Sequence, residues 1–263
     1  MNRMPVVFSG HGSPMLALED TEVTRGLRSV GEEITAKHGK PKGILAVSAH
    51  WYTLGSFLQR EEKPRQVYDM YGFPDELYAF RYPAEGSPEL ADAAAELLRE
   101  ASGVPEVTVD NSWGIDHGTW TVLCHMFPEA DVPVAQLSVD ASASPRELYD
   151  IGRALAPLRD AGYLIFASGN VVHNLRRVEW DNPGGSPETI SFNSAVIRKV
   201  QARDDAGLMD YAGIPHADYA VPTPEHYLPL LYALGAAEGE APRLFNDQSE
   251  MAAISMTGFA FGL

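Results

Sequence analysis

Three short apolar runs in this chain each lead into a histidine that lies among small residues. They are residues 5–10 before His11, residues 44–49 before His50, and residues 164–170, with two further valines, before His173. Such runs, bounded by Gly and Ser, are typical of buried strands in an α/β sheet. Ligands of these sheets bind beyond the carboxyl ends of the strands. The pattern therefore predicts that three imidazoles point into one crevice, which is the outline of a metal site.

Predicted strands and helices alternate along the chain. Strands are predicted at about residues 5–9, 43–49, 107–109, 132–139, 163–168 and 253–261. Helices are predicted at about residues 21–38, 88–101, 145–160 and 187–203, with one through Trp120 and Met126 that follows Gly118 and a further helix that ends before Gly235. The alternation predicts an α/β fold with a single three-layer domain over residues 1–263, in which a central mixed β-sheet is flanked by helices on both faces.

The charge and composition of the chain exclude several classes of partner. Its formal net charge is −16, whereas binding to a nucleic-acid backbone relies on clustered Lys and Arg. No apolar run approaches the roughly 18 residues needed to span a bilayer, and the run after Pro5 is too short for a signal-peptide core. Cys124 is the only cysteine, which fits a reducing compartment. We therefore expect a cytoplasmic protein with no nucleic-acid or membrane partner.

His226 is a fourth candidate metal ligand. The sequence around it, with Thr223 as a cap and Pro224 at the first helical position, predicts that a helix begins here. At the third helical position, the helix dipole would disfavour a charged imidazole and keep His226 neutral for metal binding. The adjacent Glu225 is the alternative ligand, because many non-haem iron sites use two histidines and one carboxylate. Neighbouring helical residues point about 100° apart, so only one of the two should face the crevice.

His117 lies in a loop-like segment, Trp-Gly-Ile-Asp-His-Gly, that precedes a predicted helix. This position predicts that His117 contacts a substrate or supports a metal ligand. The alternative is that His117 caps the helix. Many aromatic side chains lie between residues 68 and 82. They could wall a pocket for a flat ring, or simply pack a long loop against the protein.

Six short motifs resemble those of a known enzyme family. They are Gly10-His11-Gly12-Ser13-Pro14, Ser48-Ala49-His50-Trp51, Gly72-Phe73-Pro74, Trp113-Gly114 with Asp116-His117-Gly118, Ser168-Gly169-Asn170-Val171-Val172-His173-Asn174-Leu175, and Pro222-Thr223-Pro224-Glu225-His226-Tyr227. Together, and nearly end to end, the chain resembles the class III extradiol ring-cleavage dioxygenases. Within the superfamily of the protocatechuate 4,5-dioxygenase catalytic subunit, it is most similar to the 4,5-DOPA extradiol dioxygenase group. Some members of the family carry His-Asp-Phe where this chain has Tyr68-Asp69-Met70, a difference that concerns the substrate.

The resemblance implies one metal ion per chain, Fe(II) or Zn(II), held by His11, His50 and His226. It also implies that His173 is the catalytic acid/base residue, which serves as a fourth ligand when zinc occupies the site. Members of the wider family use a glutamate as the third ligand, so His226 departs from their arrangement. We expect His117 to form a hydrogen bond with substrate or oxygen during catalysis.

The function that the resemblance implies is that of an oxidoreductase that opens a catechol ring next to its diol with O2. Its partners would be a small aromatic diol, DOPA-like, and O2. Two alternatives use the same histidines. One is a zinc-dependent hydrolase, in which the metal activates water. The other is a metal-binding protein without catalysis, which would follow if four histidines closed the coordination shell.

Overall fold

A mixed eight-stranded sheet forms the centre of the computed structural model, which describes residues 3–263. The strands are β1 (Val6–Gly10), β2 (Ile44–Thr53), β3 (Ser56–Leu58), β4 (Val107–Val109), β5 (Val134–Asp140), β6 (Leu164–Gly169), β7 (Pro242–Phe245), β8 (Ser249–Glu250), β9 (Ile254–Ser255) and β10 (Gly258–Phe261). The order in the sheet is β4-β3-β5-β2-β6-β1-β10-β7, and β8 pairs with β9 separately. The strand β6 runs parallel to both of its neighbours, β1 and β2. The strand β10 is antiparallel to β1 and β7, so the predicted mixed sheet is confirmed.

Helices pack on both faces of this sheet. They are α1 (Glu22–His38), α2 (Asp75–Ala79), α3 (Pro88–Glu100), α4 (His117–Met126), α5 (Pro145–Leu155), α6 (Pro157–Asp160), α7 (Pro187–Ala202), α8 (Asp205–Met209), α9 (Ala217–Ala220) and α10 (Pro229–Ala236). Because successive side chains of a strand point to opposite faces, Val6 and Phe8 pack in the core beneath α5, α7 and α10. Val7 packs in the core beneath α1 and α4. The predicted three-layer α/β architecture is confirmed.

The sequence marks the starts of three helices with the same dipeptide, Ser-Pro. In α3, α5 and α7 the serine, which is Ser87, Ser144 or Ser186, accepts a hydrogen bond from a backbone N–H of the first turn. Proline at the first helical position has a suitable φ and needs no N–H donor there. Among residues 3–263, none of the helices has both the length and the apolar character that crossing a bilayer requires.

The helix predicted to begin at Thr223 is wrong. The segment forms a turn, in which two backbone N–H groups donate to the carbonyl of Pro224, and α10 begins only at Pro229. A helix through the whole segment would place the Pro229 ring against the carbonyl of Glu225 and would lose a hydrogen bond there. His226 therefore lies on a turn before the helix, and the helix-dipole argument for its neutrality does not hold.

Two predicted strands also have different bounds in the structure. The strand β2 continues through His50 to Thr53, with a shift of its register against β5 between Ser48 and Tyr52. Its pairing with β6 stops at Ser48, so His50 still lies beyond the end of β6. The last predicted strand is divided into β9 and β10, which are separated by Met256 and Thr257 and belong to different sheets.

Two glycines allow α5 and α10 to approach each other closely. A methyl group at Gly152 would overlap the carbonyl oxygen of Tyr232, and one at Gly235 would overlap the carbonyl oxygen of Tyr149. The obstacles are backbone atoms, which cannot rotate away. Helix α10 of this pair covers the sheet beneath β1, β2 and β6, so the glycines support the strands that carry the histidines.

We predict that Gly152→Ala destabilises the protein by about 1–3 kcal/mol, because over-packing of a core has costs of this size. The sign of this change in the free energy of unfolding is informative, since alanine in a helix is intrinsically more favourable than glycine by up to about 1 kcal/mol. Denaturant unfolding followed by circular dichroism measures the change. Gly213→Ala is the control, because a methyl group there meets nothing closer than 3.4 Å. A Gly152→Ala protein as stable as the control would contradict the close packing.

Candidate metal centre

The carboxyl ends of three adjacent strands bring two histidines together. Ser9 on β1 and Ser48 on β2 both pair with Ser168 on β6, so the three strands are level at these serines. His11 and His50 each follow their serine by two residues. Their rings meet beyond the end of β6, where the two Nε2 atoms lie 3.0 Å apart.

The turn before α10 places His226 at the same point. The N–H of Asn170, just after β6, donates to the carbonyl of His226 over 2.8 Å. That carbonyl packs so closely on Gly169 that no side chain fits there. The ring centroids of His11, His50 and His226 form a nearly equilateral triangle with sides of 4.9, 5.2 and 5.1 Å. Three imidazoles therefore surround one common point.

The remaining two predicted site histidines lie against this triangle. The ring of His173 stacks on that of His226 with centroids 3.5 Å apart and planes inclined by 7°, and its backbone pairs with that of Ile254. The ring of His117, at the start of α4, lies 3.9 Å from that of His50 between centroids. The structure thus brings together all five histidines predicted from the sequence: His11, His50, His117, His173 and His226.

Each ring of the triangle has a hydrogen-bond partner at its Nδ1 atom. His11 Nδ1 lies 2.9 Å from Ser168 Oγ, His50 Nδ1 lies 3.0 Å from Asp69 Oδ2, and His226 Nδ1 lies 3.2 Å from Glu225 Oε1. Ionised carboxylates only accept, so Nδ1 of His50 and His226 carries the proton. The hydroxyl of Ser168 donates to the carbonyl of Gly118, so it accepts from His11 in turn. All three rings therefore keep a lone pair on Nε2.

These nitrogens fit a metal ion. His226 Nε2 is buried and has no hydrogen-bond partner among the described residues, and an unpaired buried polar atom costs about 1–3 kcal/mol. Neutral imidazole binds Zn²⁺ or Fe²⁺ through one nitrogen, while the other is fixed by an acceptor. A metal ion among His11, His50 and His226 would satisfy all three lone pairs at once.

Two groups of possible ligand atoms, with no residue in common, lie in the cluster. Atoms of His11, His50 and His117 all lie within 4.8 Å of one another, and so do atoms of His173, Glu225 and His226. Glu225, the alternative ligand from the sequence, accepts hydrogen bonds through its Oε1 from His226 and, over 2.7 Å, from the hydroxyl of Thr223. In this arrangement Glu225 orients His226.

Burial controls the protonation of the cluster. It lowers the pKa of His11 and His226 well below the ordinary value, and the neighbouring histidines lower both further. Burial and the nearby His50 lower the pKa of His173 to about 4. Burial and His50 also lower the pKa of His117. Burial opposes the charge on His50 too, but its hydrogen bond to Asp69 raises the pKa of His50 overall.

Two carboxylates behind the histidines were given no role from the sequence, one largely buried and one fully buried. Asp69 lies in the aromatic segment and contacts two of the rings. Asp116 is fully buried and accepts hydrogen bonds from the hydroxyl of Ser48 over 2.7 Å and from the indole of Trp113 over 3.1 Å. The position of Asp116 next to His117 was a usable signal for a structural role, since Asp is a favoured residue just before a helix. Asp69 had no such local signal.

The aromatic segment packs against α4. Tyr68 and Phe80 both lie with their ring centroids 5.7 Å from that of Trp120. The hydroxyl of Tyr68 donates to the carbonyl of Phe80 over 2.6 Å. These contacts fix the backbone on which Asp69 lies. Packing of the loop, one of the two alternatives considered from the sequence, accounts for these side chains.

Comparison with known proteins identifies the family. A family model described as the catalytic LigB subunit of aromatic ring-opening dioxygenase matches residues 5–262. The chain is 42% identical to 4,5-DOPA dioxygenase extradiol of Escherichia coli (strain K12) over 99% of this chain and 95% of that protein. It is 40% identical to the Beta vulgaris protein of the same name over 88% of this chain and 85% of that protein. The chain belongs to the LigB family.

A solved structure agrees with this assignment. The crystal structure of an uncharacterized protein from Escherichia coli K12 superimposes with a TM-score of 0.83 at 40% sequence identity, over 98% of this chain and 99% of that one. The predicted resemblance to extradiol dioxygenases is confirmed, and so is the predicted class of enzyme, a metal-dependent extradiol ring-cleavage dioxygenase. An aromatic substrate and O2 follow from the family.

We predict that Gly169→Ala weakens metal binding, because the new methyl group would displace the carbonyl of His226 and move its ring. The expected loss is about 10–100-fold in affinity, the size seen when the support of a ligand is disturbed. Competition with a chromogenic chelator measures it. Gly184→Ala is the matched control, since the nearest atom to a methyl group there lies 3.8 Å away. Equal affinities in the two variants would show that Gly169 does not position His226.

Proposed function

We propose that this protein opens the ring of a DOPA-like catechol with O2, using one Fe(II) ion held by Nε2 of His11, His50 and His226. The supporting observation is the hydrogen-bond arrangement, in which the Nδ1 atom of each of these rings has a partner, so that Nε2 is the atom left for a metal. When bound, Fe(II) supplies Lewis acidity toward the catechol oxygens and electrons for O2. Zn(II) has no redox chemistry, so we assign it no part in turnover.

His173 is proposed as the residue that accepts and returns the proton of a catechol hydroxyl. Its ring lies parallel to His226, at the edge of the proposed ligand triangle. Because burial lowers the pKa of His173 to about 4, the ring is uncharged at neutral pH and is able to accept a proton. With zinc in the site, the same ring is close enough to His226 to serve as a fourth ligand.

His117 is proposed to contact the substrate or oxygen by a hydrogen bond. It is buried, its ring lies beside that of His50, and its Nδ1 is 2.9 Å from Asp69 Oδ1. The Nδ1 atom is therefore occupied, and Nε2 is the atom available to a bound molecule.

The choice of a DOPA-like catechol is supported by the relatives. The similar proteins of Escherichia coli and Beta vulgaris carry the name 4,5-DOPA dioxygenase extradiol. We also propose a cytoplasmic location, supported by the single cysteine, which excludes an intrachain disulfide. One catalytic domain over residues 1–263 is supported by the sheet, whose strands come from residues 6 to 261.

Metal analysis combined with an oxygen electrode tests the proposal. The protein loaded anaerobically with Fe(II) is expected to consume O2 when DOPA is added and to form a yellow ring-opened product. Loading with Zn(II) is expected to abolish both signals. Turnover that needs no O2 would indicate a zinc hydrolase instead. Bound metal without turnover of any catechol in a panel would indicate a metal-binding protein.

We predict that His173→Ala retains the metal but loses about 10²–10⁴-fold in kcat, the contribution typical of general acid–base catalysis. The metal content of the purified variant and its O2 uptake with DOPA are the two measurements. His38→Ala is the control, because His38 ends α1 just before the amino end of β2. The proposed site lies at the carboxyl ends of the strands. Unchanged turnover in His173→Ala would remove this residue from the mechanism.

A further inference from the structure

One carboxylate holds two of the five clustered histidines. Asp69 Oδ2 lies 3.0 Å from Nδ1 of His50. Asp69 Oδ1 lies 2.9 Å from Nδ1 of His117 and also accepts the backbone N–H of His117 over 3.1 Å. The side chain of Asp69 is 14% exposed. No other side chain among the described residues joins a proposed metal ligand to a second site histidine in this way.

The backbone around Asp69 is fixed by contacts on both sides of the residue. The N–H of Val67 donates to the carbonyl of Ile115 over 2.8 Å, and the indole of Trp120 donates to the carbonyl of Val67 over 3.0 Å. On the other side, the ring of Tyr68 packs on Trp120. The carboxylate is therefore held between β2 and α4, the two elements that carry its histidine partners.

The proton positions follow from the contacts of Asp69. Its two oxygens face three nitrogens, one of which is the backbone N–H of His117 and can only donate. An ionised carboxylate in such contacts has no proton to donate. Each imidazole must donate to it from Nδ1, and a neutral imidazole with a proton on Nδ1 has none on Nε2.

We propose that Asp69 is a positioning residue that holds both His50 and His117 in the Nδ1–H tautomer. For His50, this leaves Nε2 free to bind the metal. For His117, it makes Nε2 a hydrogen-bond acceptor, so that of the two partners proposed above, substrate and oxygen, it selects the one that bears a proton, such as a catechol hydroxyl. The roles of the two Nε2 atoms rest on the proposed function, whereas the tautomers themselves do not.

The variant Asp69→Asn separates the two histidines. Its carboxamide has nearly the same shape, but one end only accepts and the other only donates. Two N–H groups of His117 point at the Oδ1 position, so the amide oxygen is expected to stay there. The amide NH2 then faces Nδ1 of His50, which must become an acceptor, and the proton of His50 moves to Nε2. His117 is expected to keep its tautomer.

The experiment is NMR of 15N-histidine in the metal-free protein, at an alkaline pH where the rings are uncharged. The signals of the two rings are assigned by their loss in His50→Gln and His117→Gln. The wild-type protein is expected to have Nδ1–H on both rings. In Asp69→Asn, only His50 is expected to change to Nε2–H. Zinc affinity, measured by chelator competition, is expected to fall about 10–100-fold in this variant.

The wild-type spectrum alone can overturn the proposal, even if Asp69→Asn fails to fold. An Nε2–H tautomer on either His50 or His117 would contradict it. Zinc affinity in Asp69→Asn equal to that of the control Asp75→Asn, an exposed residue of α2, would do the same. These readouts need no substrate or O2, so ring-cleavage activity with the wrong tautomers would refute only the role of Asp69. The expected tautomers without activity would refute only the proposed function.

Discussion

The parallel pairing of β6 with both β1 and β2 is the constraint on which this site depends. It makes Ser9, Ser48 and Ser168 level across three adjacent strands. Two residues beyond the outer serines, the rings of His11 and His50 face each other over the end of the middle strand, β6. The close packing of the helices beneath the sheet supports the site, because it keeps β6 from shifting against its neighbours. Such a shift would separate these rings.

The hydrogen bonds at Nδ1 suit this cluster to a metal ion, which a group of buried polar side chains without them would not be. Five imidazoles without partners would be costly to bury, since each polar atom lost from water needs a new hydrogen bond. Here the Nδ1 atoms of the proposed ligands have acceptors in Ser168, Asp69 and Glu225. The unsatisfied lone pairs are thereby concentrated on Nε2, at the one place where a cation would lie.

The sequence predicted much of this arrangement, and its failures have physical causes. Strand-end histidines were predictable because parallel strands share a carboxyl edge, and the motifs indicated the family before any coordinates. The helix predicted from Thr223 was wrong because Pro229, six residues further on, has no N–H to donate inside a helix that starts there. Asp69 was missed because no local pattern marks a loop carboxylate that contacts strands and helices distant in the chain.

Local chemistry in the sequence therefore determined the α/β alternation, the helix starts and the identity of the candidate ligands, because strand periodicity, Ser-Pro caps and imidazole chemistry are properties of near neighbours. Only the tertiary structure decided which nitrogen of each ring carries its proton. That choice depends on acceptors such as Ser168 and Asp69, which lie 157 residues from His11 and 48 residues from His117 in the chain. Distances of this kind are set by how the chain packs, and the chemistry of the site follows from them.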